Sequence, residues 1–440
     1  MEKQKWLKKT VGLLKNNTIK NSIWIFGDKI FRSLIVFFIS IVLARSLGSE
    51  IYGLYNYVIS FAHLFMELAV LGLSGIVVRE IVKREGISSI ILGSVFITRL
   101  LASLFLLVLC FVVANYFAND YENAKYLILI YSGGLIFKSF ETFDLWYQSK
   151  QLNKTAVICR LLSIGIVFIL VLIGVYLKLG LKYFILLASL EFVLSGIFYL
   201  ISYKLSEMLK WRPKVIIAKS LLSKSWPLIL SAIGFIIYRR IDQVMLGNFV
   251  GSTEVGIYAV AAKLSEVWYY LPIAITRSYF PRLVNLKQKG LLEENLQGLY
   301  SILCLFAYVI AIIITLIGPS IVLFVYGEEY ANSGTVLTIH IWACLFIFMR
   351  EGLSKWFVLE DLFIFSLLTH GLGAISNVLL NLYLIPKYGA IGAAIATLAS
   401  YSVASYFSLL ISHKTRPIFI MMTRALLNPF NGIKFLISKT

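Results

Sequence analysis

Gly48-Ser49-Glu50-Ile51-Tyr52-Gly53-Leu54-Tyr55 and Gly251-Ser252-Thr253-Glu254-Val255-Gly256-Ile257-Tyr258 are one pattern written twice, 203 residues apart. At the same offset Arg79 falls on Arg282. Each pattern follows a long apolar run, and each run opens a set of six. Six is even, so both sets enter a membrane from the same side. The repeat therefore predicts two parallel halves related by an axis along the membrane normal.

The composition demands a membrane. Hydrophobic residues are 59 % of the 440, charged residues 14 % and aromatics 15 %, with a mean hydropathy of +0.85. A soluble chain of this length needs more polar surface. Aromatics at this level suit interfacial belts. At roughly 20 residues per span, an all-α integral membrane protein of about twelve transmembrane helices in two six-helix bundles is expected. The spans fall near 21–44, 54–77, 88–115, 124–147, 156–177, 181–203, 226–249, 255–280, 298–325, 333–357, 362–384 and 390–412. This makes a lobe over 1–203, a linker over 204–225, a lobe over 226–412 and a tail over 413–440. Trp211, Pro213 and Val215-Ile216-Ile217 predict a surface-lying linker. Pro429, Gly432 and five basic residues predict a tail helix on the inner surface. Met1 to Lys20 is basic, and the apolar run from Ile23 to Leu43 is too long for a signal-peptide core.

Orientation follows from charge. With the N-terminus inside, 26 of the 41 Lys and Arg fall in cytoplasmic segments, five in outer segments and ten inside the spans. The bias places both ends in the cytoplasm. It also accounts for the net charge of +19 without nucleic acid.

Enzyme chemistry finds no support. The sequence lacks GxxxxGK[ST], HExxH and GxSxG. His63, His340, His370 and His413 are isolated. Cys110, Cys159, Cys304 and Cys344 sit in apolar runs without metal-site or disulfide spacing and read as buried small hydrophobes. No catalytic group, metal or cofactor is expected.

The ten embedded cations are Lys29, Arg32, Arg99, Lys138, Arg160, Arg239, Arg240, Lys263, Arg277 and Arg350. A cation at the bilayer centre costs about 2.5–3.5 kcal/mol on insertion scales. Such residues must face a partner, a bundle interior or a wet cavity. Asp28 and Arg32 lie four apart on one helical face beside Lys29. Arg239 and Asp242 lie three apart beside Arg240. Lys263 and Glu266 lie three apart, with Arg277 three turns beyond. Lys138, Glu141 and Asp144 form a ladder with three-residue steps. Lys138–Glu141 and Lys263–Glu266 read equally well as structural ion pairs. Arg160 and Arg350 read as snorkelling to the inner interface. Arg99 has no nearby acid in sequence. Lys29, Arg32, Arg239 and Arg240 read as cavity-lining.

A cationic, hydrated cleft suits phosphate, since guanidinium forks match its oxygens. Stripping water from each sugar hydroxyl costs on the order of a few kcal/mol, so a sugar chain needs such a cleft while its lipid tail stays in hydrocarbon. Outward movement of negative charge across an inside-negative membrane gains about 2.3 kcal/mol per charge per 100 mV.

Trp226 to Leu283 reads WPLILSAIGFIIYRRIDQVMLGNFVGSTEVGIYAVAAKLSEVWYYLPIAITRSYFPRL. Its Arg240-Ile241-Asp242-Gln243, Leu246-Gly247, Val255-Gly256-Ile257-Tyr258, Ala261-Ala262, Glu266, Pro272 and Pro281 carry a resemblance. Leu43-Ala44-Arg45-Ser46-Leu47-Gly48 with Tyr52-Gly53-Leu54-Tyr55 adds to it, as does Tyr388-Gly389-Ala390-Ile391-Gly392-Ala393-Ala394. Together they resemble the Wzx-type polysaccharide flippases of the multidrug/oligosaccharidyl-lipid/polysaccharide exporter superfamily. The resemblance implies two six-helix lobes in the bacterial inner membrane. It implies transfer of undecaprenyl-pyrophosphate-linked oligosaccharide units for O-antigen or a related polymer, with a polymerase and chain-length regulator as partners. It also implies a cationic lumen, expected at Lys29, Arg32, Arg99, Arg239, Arg240, Lys263 and Arg277. Coupling to H+ or Na+ is implied by analogy, with Asp28, Glu67, Asp242 and Glu266 as candidates. The tail is too short for the two extra helices of peptidoglycan lipid II flippases. A drug or small-molecule antiporter on the same scaffold is the alternative, disfavoured by the cation surplus. A membrane polymerase would need a large outer loop, which the sequence lacks.

Overall fold

In hydrocarbon no water satisfies backbone N–H and C=O groups, so spanning segments must close their hydrogen bonds internally. The chain answers with helices. A computed structural model describes residues 17–118, 124–206 and 211–437. The basic stretch before residue 17, residues 207–210 of the expected linker and the last three of the tail lie outside the described residues.

Helix α1 (Asn17–Met66) is interrupted at Gly48, whose φ of 76° and ψ of 170° are not helical. An unbroken helix of this length would measure about 75 Å, more than twice the hydrocarbon thickness of roughly 30 Å. The glycine divides it. A 3-10 turn at Leu68–Val70 and left-handed Leu71 and Gly72 then lead to α2 (Ser74–Lys83). Next come α3 (Ser88–Phe117), α4 (Ala124–Ser132), α5 (Leu135–Lys138), α6 (Glu141–Ser149), α7 (Asn153–Tyr176) and α8 (Leu181–Ser206). Helix α9 (Val215–Phe249) starts well before residue 226, so half of the expected linker is helical. There follow α10 (Ser252–Glu266), α11 (Tyr270–Gln288), α12 (Leu292–Tyr326), α13 (Ala331–His340), α14 (Ala343–Leu359) and α15 (Phe363–Ser405), the last broken at Gly389. The tail forms α16 (Arg416–Leu427) and α17 (Asn431–Ile437).

Among the described residues, seven helical stretches are long and apolar enough to cross a membrane, and the α13–α14 pair, bent by 46°, would make eight. Four of the expected spans are interrupted and then resume as helices. They break at Glu67–Leu73, at Gly133–Gly134 and Ser139–Phe140, at Val267–Tyr269, and at Ile341–Trp342. These are the second and fourth of the first six and the second and fourth of the last six. The repeat seen in the glycine pattern thus recurs in where the helices fail.

The chain forms two compact units. Residues up to Ser46 with Ala62–Ile229 make the first, and Leu47–Phe61 with Leu230 onward make the second. The expected boundary near 204–225 is therefore displaced, and the segment around the first glycine pattern belongs to the second unit. In the first unit, aromatic packing anchors the chain at Trp211. Its ring lies 4.7 Å from Phe143 and its Nε1 donates to the Tyr203 hydroxyl at 2.9 Å. In the second unit both tail helices seat on α12. Gln297 Nε2 donates to Met421 O at 3.1 Å, Tyr308 donates to Leu426 O at 3.3 Å, and Phe435 fills the notch at Gly298.

The displaced boundary has a backbone cause. A Cβ on Gly53 would lie 1.7 Å from Ser252 O, and a Cβ on Gly256 would lie 2.2 Å from Ser49 O. These two contacts are images of each other at the 203-residue offset. Helices approach this closely only where side chains vanish, as small residues allow in membrane helix pairs. Gly247 repeats the device against the Tyr57 ring, at 2.3 Å from a would-be Cβ, and Tyr57 donates to Asn248 Oδ1 at 2.7 Å. Either Gly53→Ala or Gly256→Ala should destabilise by about 1–3 kcal/mol or more, the usual cost of overpacking. The thermal midpoint in detergent reads this, with Gly165→Ala, inside α7 and meeting nothing within 4 Å, not lowering it.

Candidate functional site

Each unit carries a cluster of charges inside its helices, and the two clusters are balanced differently. In the first unit the cations are paired. Arg32 of α1 forms an ion pair with Glu191 of α8. Arg160 of α7 reaches Asp28 at 2.8 Å through Nη2 and at 2.9 Å through Nε. Its Nη1 lies 3.0 Å from Asp144 and donates to the Tyr199 hydroxyl at 3.0 Å. Lys138 of α5 lies 3.4 Å from Glu67 and 3.6 Å from Glu141.

These partners revise the readings from sequence neighbours. Asp28 serves Arg160, across a separation of 132 residues, rather than Arg32 four places on. Arg160 does not snorkel, because a fork of two carboxylates and a phenol holds it. Lys138–Glu141 forms as a ladder contact. Lys29 is exposed. Arg99 stands apart: it is 1 % exposed, and its Nη2 donates to Val70 O at 3.4 Å and Ser74 Oγ at 3.2 Å. It holds the broken turn at Leu71-Gly72 and joins no anion-binding group.

In the second unit the balance tips. Arg239 and Arg240 of α9 and Lys263 and Glu266 of α10 form the cluster, all four half-buried. Arg239 Nη2 lies 3.5 Å from Glu266 Oε2, and its guanidinium sits 5.7 Å from the Phe235 ring. Of the two readings of Lys263 and Glu266, the direct ion pair is not the one that forms. Lys263 Nζ instead donates to the Tyr52 hydroxyl at 3.0 Å and faces that ring at 5.3 Å. Among the described residues, Glu266 is the one carboxylate within ion-pair reach of these three cations. Arg277 is exposed on α11 and stays outside the cluster. Arg350 does not snorkel. It is buried, donating to Thr369 Oγ1 at 2.7 Å and Ala404 O at 2.9 Å, where it holds the end of α15.

Asp242 forms a third group, one turn below Arg239 on α9. It is 2 % exposed, with no cation in ion-pair reach among the described residues. Its Oδ1 accepts from Asn381 Nδ2 at 2.6 Å, and its Oδ2 accepts from Thr397 Oγ1 and the Tyr258 hydroxyl, each at 2.8 Å. Asn381 Nδ2 also donates to Asn377 Oδ1 at 3.1 Å, while Asn381 Oδ1 is buried without a partner. A carboxylate this deep is costly unless it is neutralised. Carboxylate, amide and hydroxyl oxygens suit a hard cation, and the carboxylate also accepts a proton. Of the four acids expected to couple ions, Asp28, Glu67 and Glu266 each face a cation, leaving Asp242. The sequence reading missed Asn377, Asn381 and Thr397, which lie far along the chain. Two asparagines four apart in an apolar run were the available signal.

The fold built by these helices is shared with the lipid II flippase MurJ in its inward closed conformation, at a TM-score of 0.73 and 16 % identity over 95 % of each chain. Residues 18–287, more than half the chain, match the family described as polysaccharide biosynthesis protein, and the chain belongs to that family. The motif resemblance therefore holds at family level. The probable flippase AglR of Haloferax volcanii is 31 % identical over 182 residues, covering 38 % of this chain and 36 % of that protein. The capsular polysaccharide biosynthesis protein CapF of Staphylococcus aureus is 25 % identical over 404 residues, covering 88 % of this chain and 98 % of that protein. The chain thus spans about a third of the archaeal relative and nearly all of the staphylococcal one.

Arg160→Met should strand Asp28 and Asp144 without their cation and cost roughly 3–5 kcal/mol, as for other broken buried pairs. A lowered thermal midpoint in detergent reads this. Adding Asp28→Asn to the same chain should recover part of the loss, and exposed Arg277→Ala should shift stability by no more than about 0.5 kcal/mol.

Proposed function

We propose that this protein moves undecaprenyl-diphosphate-linked oligosaccharide from the cytoplasmic to the outer leaflet of a bacterial inner membrane. The observation that carries the reading is the second unit's cluster, where, among the described residues, Arg239, Arg240 and Lys263 have one carboxylate in ion-pair reach, Glu266, and it meets Arg239. Half-buried cations without matching acids are stable only if something anionic or water completes them. Two guanidiniums and an ammonium fit a diphosphate, whose oxygens accept several charge-assisted bonds at once. The relatives' printed names, a probable flippase and a capsular polysaccharide biosynthesis protein, and the fold shared with a lipid II flippase support the same class.

The twelve expected spans, four of them broken, would then act as two six-helix lobes with both termini in the cytoplasm. Alternating access to the cluster carries the head group while the lipid tail remains in the bilayer. Transport needs no catalytic residue. Asp242 with Asn377, Asn381 and Thr397 is the coupling site, loading H+ or Na+ to cancel the buried charge. A polymerase and a chain-length regulator would take the product on the outer face.

Proteoliposomes holding a fluorescent undecaprenyl-diphosphate sugar test this directly. Arg239→Ala and Arg240→Ala should each slow flipping about tenfold or more, from loss of a charge-assisted bond worth roughly 1.5–3 kcal/mol. Arg240→Lys should recover part of it. Wild-type rates in both alanine variants would remove the cluster from the mechanism. Asp242→Asn should make the rate indifferent to an imposed proton or sodium gradient, and retained gradient dependence would reject the coupling role.

A further inference from the structure

Helix α9 is too long for the hydrocarbon. Its 35 residues make about 52 Å of helix, against a core of roughly 30 Å. Its exposed polar residues, Lys219, Ser220, Ser223 and Lys224, all precede Trp226, so the excess lies at its start. That end belongs to the first unit, and the distribution of Lys and Arg assigns it to the cytoplasm. The start is held in place. Lys214 N donates to Ser94 Oγ at 2.8 Å, and the Trp211 ring lies 5.2 Å from Phe96. Gly93 leaves room for this, since a Cβ there would lie 3.1 Å from Arg212 N. Lys224 Nζ lies 3.0 Å from Glu80 of α2, and Arg84 and Arg79 reach the same carboxylate at 3.6 and 3.9 Å. Lys83, Arg212, Lys214 and Lys219 are exposed on the same two segments. Among the described residues none of these four has a carboxylate in ion-pair reach. Beside them Val215 and Ile216 are 71 % and 80 % exposed.

We propose that this rim, the end of α2 with the start of α9, binds the anionic phospholipid head groups of the leaflet it faces. Water is a poor neighbour for two adjacent aliphatic side chains, and bare hydrocarbon is a poor one for cations. The head-group layer suits both. The arginines meet phosphate oxygens through paired donors and the lysines as point charges. Val215 and Ile216 reach the top of the acyl chains, and Trp226, 58 % exposed, sits at the boundary as amphipathic rings do. Glu80 gathers Lys224, Arg84 and Arg79 without cancelling them, so the surplus is local. Because the backbone is already fixed, little ordering entropy is lost on binding. The inside bias of charge requires cations here but not exposed aliphatic residues beside them. Free phosphate would answer the cations and leave the aliphatic pair in water.

A reporter at the rim tests this in proteoliposomes of phosphatidylglycerol and phosphatidylcholine. Ile216→Cys takes a small fluorescent maleimide, while the four native cysteines are buried and the parent chain measures any labelling they allow. One lipid at a time carries bromine, which quenches on contact. Brominated phosphatidylglycerol should quench roughly fivefold more than the same fraction of brominated phosphatidylcholine, since each cation near an anionic surface strengthens association by about that factor. At about 1 M salt, where the Debye length is near 3 Å, the two should quench alike. Arg212→Gln, Lys214→Gln and Lys219→Gln in one chain, all at exposed positions, should fold as the parent does and lose the preference. A label at Tyr176→Cys, 86 % exposed at the far end of α7, should show none. Quenching by neither lipid makes the rim a water-facing surface and overturns the proposal. Equal quenching at low salt overturns it too, as does a preference that survives the triple substitution. No arm depends on transport, so this proposal and the proposed function fail separately.

Discussion

Two backbones touch at Gly53 and Gly256, and much of the second unit is arranged around that contact. A carbonyl oxygen of each partner occupies the space where the other's Cβ would be. Only glycine permits it, and lipid cannot fill the gap by other means. The contact gathers residues from both ends of the sequence: Ser60 on Gln243, Tyr57 on Asn248, Glu329 on Ser49, and Lys263 on Tyr52. It also explains why the segment Leu47–Phe61 belongs with residues two hundred places away rather than with its own chain neighbours.

Charge is distributed with the same economy. In the first unit each clustered cation meets a carboxylate, so those groups hold helices together and leave little field for a ligand. In the second, acids are fewer than cations, and the excess sits half-exposed. The net positive charge of the spans is therefore local. Arg99 and Arg350, which looked like members of the same population, spend their donors on backbone carbonyls near helix breaks and ends. Broken helices in hydrocarbon leave carbonyls that need partners, and a guanidinium supplies several donors at once.

Asp242 follows the opposite logic from these arginines. Its environment supplies hydroxyl and amide donors, and no cation lies in ion-pair reach among the described residues. The Tyr258 and Thr397 hydroxyls that donate to it lie 2.9 Å apart, so the carboxylate sits in a close frame of hydroxyls.

How much was legible beforehand depends on the range of the forces involved. Apolar runs, the twofold repeat and the glycine pattern are written locally, since helix formation in lipid and the steric room at a glycine depend on a few neighbouring residues. Those features determined the helical class, the repeat and the family. The cation surplus was legible too, as a count. Its place was not, because partners such as Arg160 with Asp28 or Arg32 with Glu191 lie 132 and 159 residues apart. Pairing by helical spacing joined Asp28 to Arg32 and Lys263 to Glu266, whereas the tertiary structure gave each a partner from another helix. It alone decided which charges are neutralised, where spans break, and that Asp242 stands among asparagines and hydroxyls. The physical reason is that Coulomb attraction and desolvation act through space, where packing sets the distances and chain order does not.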